Sequence, residues 1–323
     1  MTKATTVADA RAPRKARSSR EVFRDTLLEL MPGDGRLVCL DTDTGLFNGV
    51  DLEGVADRYI NLGIAEHTLM GAAAGLAKRG YLPVVNTMAT FAATRALEAV
   101  KLDIALNNLP VRIASTHSGV SAGHLGPTHH SLEDVAVMRL LPHMTVLVAS
   151  DAATTEHLFR QSLDLPGPVY LRLGRNATPD LPADAPPVRI GRMQVLREGG
   201  DITLVACGTY PVHTALEAAD LLTADGIAAA VLNAHTVKPL DSEALKAAAE
   251  ATGRVITVEE HWQSGGLGGA VAEALSELPA VTVSRVGMPD AFASVSGGQQ
   301  YQLEQAGITS GAVAARAREV IGV

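Results

Sequence analysis

Short apolar runs alternate with amphipathic segments along most of the chain, and this alternation limits the possible folds more than any other feature. The apolar runs predict strands near residues 36–41, 82–86, 111–116, 144–149 and 168–173. The amphipathic segments predict helices near residues 18–31, 66–79, 91–107, 131–140 and 152–163. Strands separated by helices form a mostly parallel sheet with helices on both faces. The sequence therefore predicts an α/β fold, with ligands expected at the carboxyl ends of the strands.

A second alternation follows a segment that holds four prolines, which predicts a linker over residues 179–188. Beyond the linker, strands are predicted near residues 202–206, 228–232, 254–258 and 281–286, and helices near 211–224, 241–250 and 266–277. Two doubly wound α/β domains are thus predicted, over residues 18–178 and 189–323. The basic residues 1–17 lack a hydrophobic period and predict a disordered tail.

Composition limits what the chain binds and where it works. A net charge of −8 at pH 7 argues against a nucleic-acid-binding surface. No apolar run reaches the length of a membrane span, and no secretory signal pattern opens the chain. Cys39 and Cys207 lie in apolar runs, as reduced core thiols do. We therefore expect a cytoplasmic protein with no membrane or nucleic-acid partner.

The segment over residues 58–67 places a carboxylate where a predicted strand meets a predicted helix. Small residues follow Glu66, and they suit a helix that packs closely on its neighbours with little water nearby. A carboxylate in the first turn either interacts with the helix dipole and solvent, or lies in a dry pocket suited to chemistry. Position alone favours the first interpretation.

Four segments in a fixed order carry a resemblance to a known family. They read RYINLGIAEH at residues 58–67, TMATFAATRA at 87–96, STHSGVSAGHLGPTHH at 115–130 and YLRLGRN at 170–176. Together they resemble the pyrimidine-binding domain of the transketolases, which are thiamine diphosphate enzymes. The resemblance extends through the transketolase C-terminal domain and covers about residues 18–323.

The resemblance implies thiamine diphosphate as the cofactor. In the family, a carboxyl group beside a nitrogen of the pyrimidine ring sets the tautomer of that ring, and Glu66 is the matching catalytic residue. Phe91 matches the aromatic side chain that stacks on the ring, and Met88 stands where relatives often have another aromatic residue. Ile64 belongs to the same cofactor-binding segment. These four side chains are therefore expected to hold the pyrimidine.

A loop rich in histidine and one arginine form the expected substrate site. His117, His124, His129 and His130 lie within fourteen residues, but no cysteine or close carboxylate joins them, so no metal site is predicted. By resemblance, His117 and His129 are catalytic: they face the substrate oxygens, donate hydrogen bonds and move protons. His124 flanks this site. Arg175 matches the family's phosphate-binding arginine, whose fork suits a phosphate.

Leu125 departs from the family pattern. Transketolases usually read Asp-Gly-Pro-Thr-His, and the aspartate accepts a hydrogen bond from a hydroxyl of the donor sugar. A leucine cannot accept this bond, and burial of an unpaired hydroxyl costs about 1–3 kcal/mol. The expected donor therefore lacks this hydroxyl or presents it differently, with His124 as one candidate partner.

Half of the expected cofactor site is missing from this sequence. Family members bind the diphosphate and Mg²⁺ through a domain with a Gly-Asp-Gly motif. Here Gly33-Asp34-Gly35 precedes an apolar run and predicts a helix-to-strand turn, whereas a diphosphate loop needs a strand before it and a helix after it. Gly266-Leu267-Gly268-Gly269 similarly predicts a turn that opens a helix. By resemblance, the C-terminal domain is structural and holds no catalytic residue.

The predicted function is that of the C-terminal subunit of a split transketolase. This subunit would transfer a two-carbon ketol unit from a ketose, expected to be a phosphate, to an aldose. A separate subunit would hold the diphosphate and Mg²⁺ in an α₂β₂ assembly. The alternative is the β subunit of the decarboxylating component of a 2-oxoacid dehydrogenase, which Leu125 favours and Arg175 disfavours. A deoxyxylulose phosphate synthase and a non-catalytic binding subunit are weaker alternatives.

Overall fold

The computed structural model describes residues 16–323, which form two sheets flanked by helices. Most of the tail predicted over residues 1–17 lies outside the described residues. Arg17 is exposed and forms an ion pair with Asp25. None of the helices in residues 16–323 has both the length and the apolar character that a membrane span requires.

Seven strands form the first sheet: β1 (Leu37–Asp41), β2 (Tyr59–Asn61), β3 (Leu82–Met88), β4 (Arg112–Thr116), β5 (Thr145–Val148), β6 (Val169–Arg172) and β10 (Thr236–Lys238). Their order is β10-β5-β6-β4-β3-β1-β2, and β10 alone runs antiparallel to its neighbour. The predicted parallel sheet is confirmed. Strand β10 was not predicted, and it brings a piece of the C-terminal half to the edge of the first sheet.

The helices around this sheet are α1 (Ser19–Leu30), α2 (Glu66–Lys78), α3 (Ala89–Ala93), α4 (Leu97–Ala99), α5 (Asp134–Leu140) and α6 (Ala152–Ser162). Helix α1 begins with the capping box of Ser18 and Glu21, whose two hydrogen bonds are both present. The turn at Gly33-Asp34-Gly35 joins α1 to β1, as predicted.

The continuous helix predicted near residues 91–107 is wrong, because α3 and α4 are separate and a π-helical stretch, Val100–Ala105, follows them. Helix α3 ends at Ala93, and the hydroxyl of the next residue, Thr94, donates to the Thr90 carbonyl oxygen at 2.6 Å. Such a side-chain bond to the preceding turn competes with the helical ladder and bends helices. After the break, Arg95 reaches Glu66 at the start of α2.

The second sheet has five strands: β7 (Gln194–Arg197), β8 (Ile202–Cys207), β9 (Ala229–Asn233), β11 (Arg254–Trp262) and β12 (Thr282–Met288). Their order is β12-β11-β8-β9-β7, and all pairs are parallel except β7 with β9. Its helices are α7 (Thr209–Ala224), α8 (Ser242–Thr252), α9 (Leu267–Ala274), α10 (Gln299–Gln305) and α11 (Ser310–Ile321). The glycine-rich turn opens α9, as predicted.

Alternate residues of the central strands enter two different cores. Leu40, Val85 and Ile113 share one core with helix α2, and this core continues to Val205 of the second sheet. Their immediate neighbours along the strands enter another core, on the opposite face. This period of two confirms a sheet covered on both sides. The shared core also packs the two sheets against each other.

Candidate active site

One buried carboxylate, at the carboxyl end of β1, ties this strand to its neighbours β2 and β3. Asp41 accepts hydrogen bonds from the Tyr59 hydroxyl at 2.8 Å, the Asn86 amide at 2.7 Å and the Thr44 hydroxyl at 3.1 Å. Burial, and then the hydrogen bond to Asp41, raise the pKa of Tyr59 above its ordinary value. These bonds fix the sheet edge from which the loops of the site extend.

Glu66 is the first residue of α2 and is only 2% exposed, so it lies in a pocket rather than in solvent. Its carboxylate accepts one hydrogen bond, at 2.8 Å, from the guanidinium of Arg95. The guanidinium carbon of Arg95 lies 4.3 Å above the centre of the Phe91 ring. The planar guanidinium of Arg95 thus contacts both the Glu66 carboxylate and the face of the Phe91 ring. The space between Glu66 and Phe91 therefore fits a planar group that donates a hydrogen bond.

The aromatic side of this space continues to the histidine loop. The rings of Phe91 and His129 meet edge to face, with centroids 5.4 Å apart. His129 is half-buried, and its Nδ1 lies 2.9 Å from the Thr128 hydroxyl. Met88 is half-buried at the end of β3, whereas Ile64 is 75% exposed. The structure thus brings Glu66, Phe91 and His129 together and leaves Ile64 on the surface.

His117 follows β4 in the left-handed backbone region, with φ of 57°. Its Nδ1 lies 2.9 Å from the Thr116 hydroxyl. Burial lowers the pKa of His117 to about 3, and the positive charges of Arg20 and Arg175 act in the same direction. The imidazole is therefore neutral near pH 7. In this form it can donate a hydrogen bond to an oxygen or accept one from a hydroxyl, and its predicted catalytic role stays a prediction.

A basic pocket surrounds His117. Arg175 is half-buried after β6, and Arg20 lies in the first turn of α1, where its backbone N–H donates to the Gly174 carbonyl oxygen at 3.3 Å. Burial lowers the pKa of Arg20, and the charge of Arg175 lowers it further. The Nε of Arg20 is buried and has no hydrogen-bond partner among the described residues. Two arginines and a neutral histidine thus suit an oxyanion such as phosphate.

Sequence reasoning missed Arg20. Its position inside a capping box explains a helix start and gives no sign of a ligand. Only the packing of α1 against the end of β6 brings it beside Arg175. Among the other predicted residues, His124 is exposed and Leu125 is 43% exposed, on a 3₁₀-helical turn over Gly123–Leu125.

Nothing in residues 16–323 gathers three histidine, cysteine or acidic side chains into a possible metal site. His130 is buried, and burial lowers its pKa. His130 therefore packs inside the protein, at the end of the histidine loop.

The fold and these contacts define an α/β protein whose candidate site, at the carboxyl ends of a mostly parallel sheet, fits a planar group and an oxyanion. The chain belongs to the transketolase family. Residues 15–180 match the transketolase pyrimidine-binding domain, and residues 191–313 match the transketolase C-terminal domain. Both predicted family domains are confirmed.

Two relatives match this chain over most of their own length. The chain is 40% identical over 303 residues to the 6-deoxy-6-sulfo-D-fructose transketolase subunit of Clostridium sp. (strain MSTE9), and the match covers 93% of this chain and 94% of that protein. It is 42% identical over 274 residues to an apulose-4-phosphate transketolase subunit of Phocaeicola vulgatus, and that match covers 84% of this chain and 87% of the relative.

A solved structure, described as a split gene transketolase in an inactive β4 tetramer, matches with a TM-score of 0.86. The two chains are 39% identical, and the match covers 95% of this chain and 99% of the other. The predicted kinship with split transketolase subunits is therefore confirmed. The 2-oxoacid dehydrogenase alternative is not favoured, because both named relatives are transketolase subunits.

Proposed function

We propose that this chain is the pyrimidine-binding subunit of a split transketolase that transfers a two-carbon ketol unit from an anionic ketose to an aldose. The observation that carries the proposal is the contact of one planar guanidinium with both Glu66 and Phe91. A carboxylate and a ring face with this spacing suit the aminopyrimidine of thiamine diphosphate. When bound, this cofactor supplies the chemistry that breaks and forms a bond beside a carbonyl group.

Each side chain of the site has a distinct task in this proposal. Glu66 would hydrogen-bond a ring nitrogen in a place from which water is excluded, where such a bond is strong. Phe91 would support the ring face, and Met88 would pack at its edge. His117 and His129 would bind the substrate oxygens and take part in proton transfer to and from them.

The substrate's charged end would bind in the basic pocket of Arg20 and Arg175. The names of the two relatives include a sulfonated sugar and a sugar phosphate, both of which carry an oxyanion. The buried Nε–H of Arg20 fits either group. Leu125, at 43% exposure, offers no hydrogen-bond acceptor to a donor hydroxyl, and we expect the donor to lack or redirect that hydroxyl.

A second subunit completes the enzyme in this proposal. It would hold the diphosphate and Mg²⁺, and we expect an α₂β₂ assembly. The exposed Ile64, two residues before Glu66, is then a candidate for contact with the cofactor or the second subunit. Cys39 and Cys207 are free and buried, which fits a reducing compartment, so we expect the assembly to work in the cytoplasm.

The test combines this chain with its candidate partner subunit, thiamine diphosphate and Mg²⁺. Ketol transfer from a panel of sulfonated and phosphorylated ketoses should require both chains. Decarboxylation of pyruvate without ketol transfer would instead support the 2-oxoacid dehydrogenase alternative. Condensation of pyruvate with glyceraldehyde 3-phosphate would support a deoxyxylulose phosphate synthase.

A further inference from the structure

Residues of the C-terminal half of the chain contact the histidine loop, which spans residues 117–130. Gly119 and Ser131 exchange two backbone hydrogen bonds, of 3.1 and 2.8 Å, which close the loop at its base. Near its tip, Gly297 donates to the carbonyl oxygen of Gly123 at 3.1 Å. A Cβ on Gly123 would lie 2.4 Å from the Gly297 carbonyl oxygen, so the two segments are in close contact.

The base of the loop rests on one buried carboxylate of strand β11. Glu260 is 3% exposed and accepts the backbone N–H of Val120 at 2.6 Å. It also accepts the side-chain amide of Gln299 on α10, at 2.8 and 3.0 Å to its two oxygens. Gly119 has φ of 60°, and a Cβ there would lie 2.3 Å from a Glu260 oxygen. The carboxylate and the loop backbone thus fit together without space for another side chain.

The backbone of β11 at Glu260 is also bonded to Arg172 of β6, which forms a buried ion pair with Asp134. Arg172 donates to Asp134 at 2.7 Å and to the carbonyl oxygens of Ser131 and Glu260 at 3.1 and 2.9 Å. One guanidinium thus joins the end of the histidine loop to the backbone of Glu260. The loop over residues 119–131 thus has fixed contacts at both of its ends. His129 lies inside this loop, and His117 lies two residues before it.

Burial of Glu260 is costly for the fold. Loss of solvent raises the pKa of Glu260 to about 7, although the charge of Arg172 and the N–H donors act in the opposite direction. A carboxylate whose ionised form is disfavoured in this way is a poor choice for stability alone. Its two-oxygen geometry does match the donors of Val120 and Gln299, which an apolar side chain could not satisfy.

We propose that Glu260, together with Gln299, is a positioning residue that sets the histidine loop in place for substrate binding. It acts through the loop backbone and does not touch the substrate. The C-terminal half therefore contributes to the site's geometry while it supplies no catalytic residue. The effect on turnover rests on the proposed function, but the effect on the loop does not.

The test uses Glu260→Gln, measured at about pH 8.5, where the native carboxylate is ionised. The new amide would keep one oxygen for the N–H of Val120, but its N–H₂ would face that of Gln299, so one of the two hydrogen bonds from Gln299 would be lost. The double variant Glu260→Gln/Gln299→Glu restores one acceptor and one donor in exchanged positions. Glu259→Gln is the matched control, because Glu259 is equally buried on β11 but accepts the N–H groups of Leu267 and Gly268, away from the loop.

Two measurements separate positioning from general stability. Hydrogen exchange of the isolated chain should speed up at residues 119–131 in Glu260→Gln and return toward native in the double variant. In the assembled enzyme, kcat should fall by about 10- to 100-fold in Glu260→Gln and recover in the double variant, since misplaced groups cost rates of this order. Glu259→Gln should change neither quantity.

Equal effects of Glu259→Gln and Glu260→Gln on loop exchange would overturn the proposal. So would a double variant that stays as impaired as Glu260→Gln. If Glu260→Gln does not fold, Gln299→Leu removes the amide donor and keeps the carboxylate. Faster exchange at residues 119–131 in Gln299→Leu supports the proposal, and native exchange there overturns it. If the assembly proves inactive, the exchange data still decide the structural claim.

Discussion

Arg95 occupies the place that the proposed cofactor needs. Its guanidinium is hydrogen-bonded to Glu66 and stacked on Phe91, and both side chains must contact the aminopyrimidine in the proposed enzyme. Arg95 therefore has to leave when the cofactor binds. Arg95→Ala should remove this competition and tighten the binding of thiamine diphosphate.

The size of the effect follows from the exposure of the two partners. The Arg95 side chain is 48% exposed and that of Glu66 only 3%, so water screens the ion pair, which is worth about 1 kcal/mol at most. The stacking of the cation on Phe91 adds about 0.5–1 kcal/mol. A combined loss of about 1.5–2 kcal/mol corresponds to an apparent affinity about 10- to 30-fold tighter.

The assay is calorimetric titration of thiamine diphosphate into the assembled subunits with Mg²⁺ present. Arg79→Ala is the control, since Arg79 is exposed at the end of α2 and makes no ion pair among the described residues. Its affinity should equal that of the native protein. Unchanged or weaker binding by Arg95→Ala would refute the reasoning, because Arg95 would then not compete with the cofactor.

Four further predictions concern the substrate and the buried charges. Leu125→Asp should lower activity on the true donor in a steady-state assay; higher activity on ordinary ketose phosphates with nothing else changed would contradict our explanation of this residue. Arg20→Met should raise KM for an anionic donor by about tenfold or more and leave a neutral donor unaffected, because only the former loses a charge-assisted hydrogen bond; equal effects on both donors would argue against an oxyanion pocket. Asp134→Ala should lower the free energy of unfolding by about 3–5 kcal/mol in a urea titration, because the buried Arg172 loses its partner; a loss below about 1 kcal/mol would show that water replaces the carboxylate. Burial raises the pKa of Glu259 from 4.5 to about 7. The contribution of Glu259 to stability is therefore fully present below about pH 4.5 and is lost as the pH rises through 7. In Glu259→Gln, the free energy of unfolding should fall less steeply over this pH range, and an equally steep fall would contradict the raised pKa.

Local patterns were enough to predict the fold class and the loops that carry the site. The alternation of apolar runs and helices reports burial on both faces of a parallel sheet, and this requires no knowledge of tertiary contacts. The helix predicted to begin near residue 18 and the turn at Gly33 are equally local and are found as predicted. The resemblance then located Glu66, Phe91 and the histidine loop, which the structure brings to one edge of the sheet.

The features that the sequence did not reveal depend on contacts between distant segments. Arg20 becomes part of a basic pocket only because α1 packs at the end of β6, near Arg175. Thr236 of strand β10 pairs with Leu147 of β5, which lies 89 residues earlier in the chain, so no local pattern indicates this partner. Glu260 meets Val120 across 140 residues of sequence, and this contact links the C-terminal half to the histidine loop.

The most direct test of the central claim is ketol transfer by the mixture of this chain, its partner subunit, thiamine diphosphate and Mg²⁺, compared between native protein and Glu66→Gln. The account predicts turnover that needs both chains and is lost in the variant, while the variant still assembles with its partner and melts at a similar temperature. Undiminished turnover by Glu66→Gln, in an assembly that still requires both chains, would contradict it.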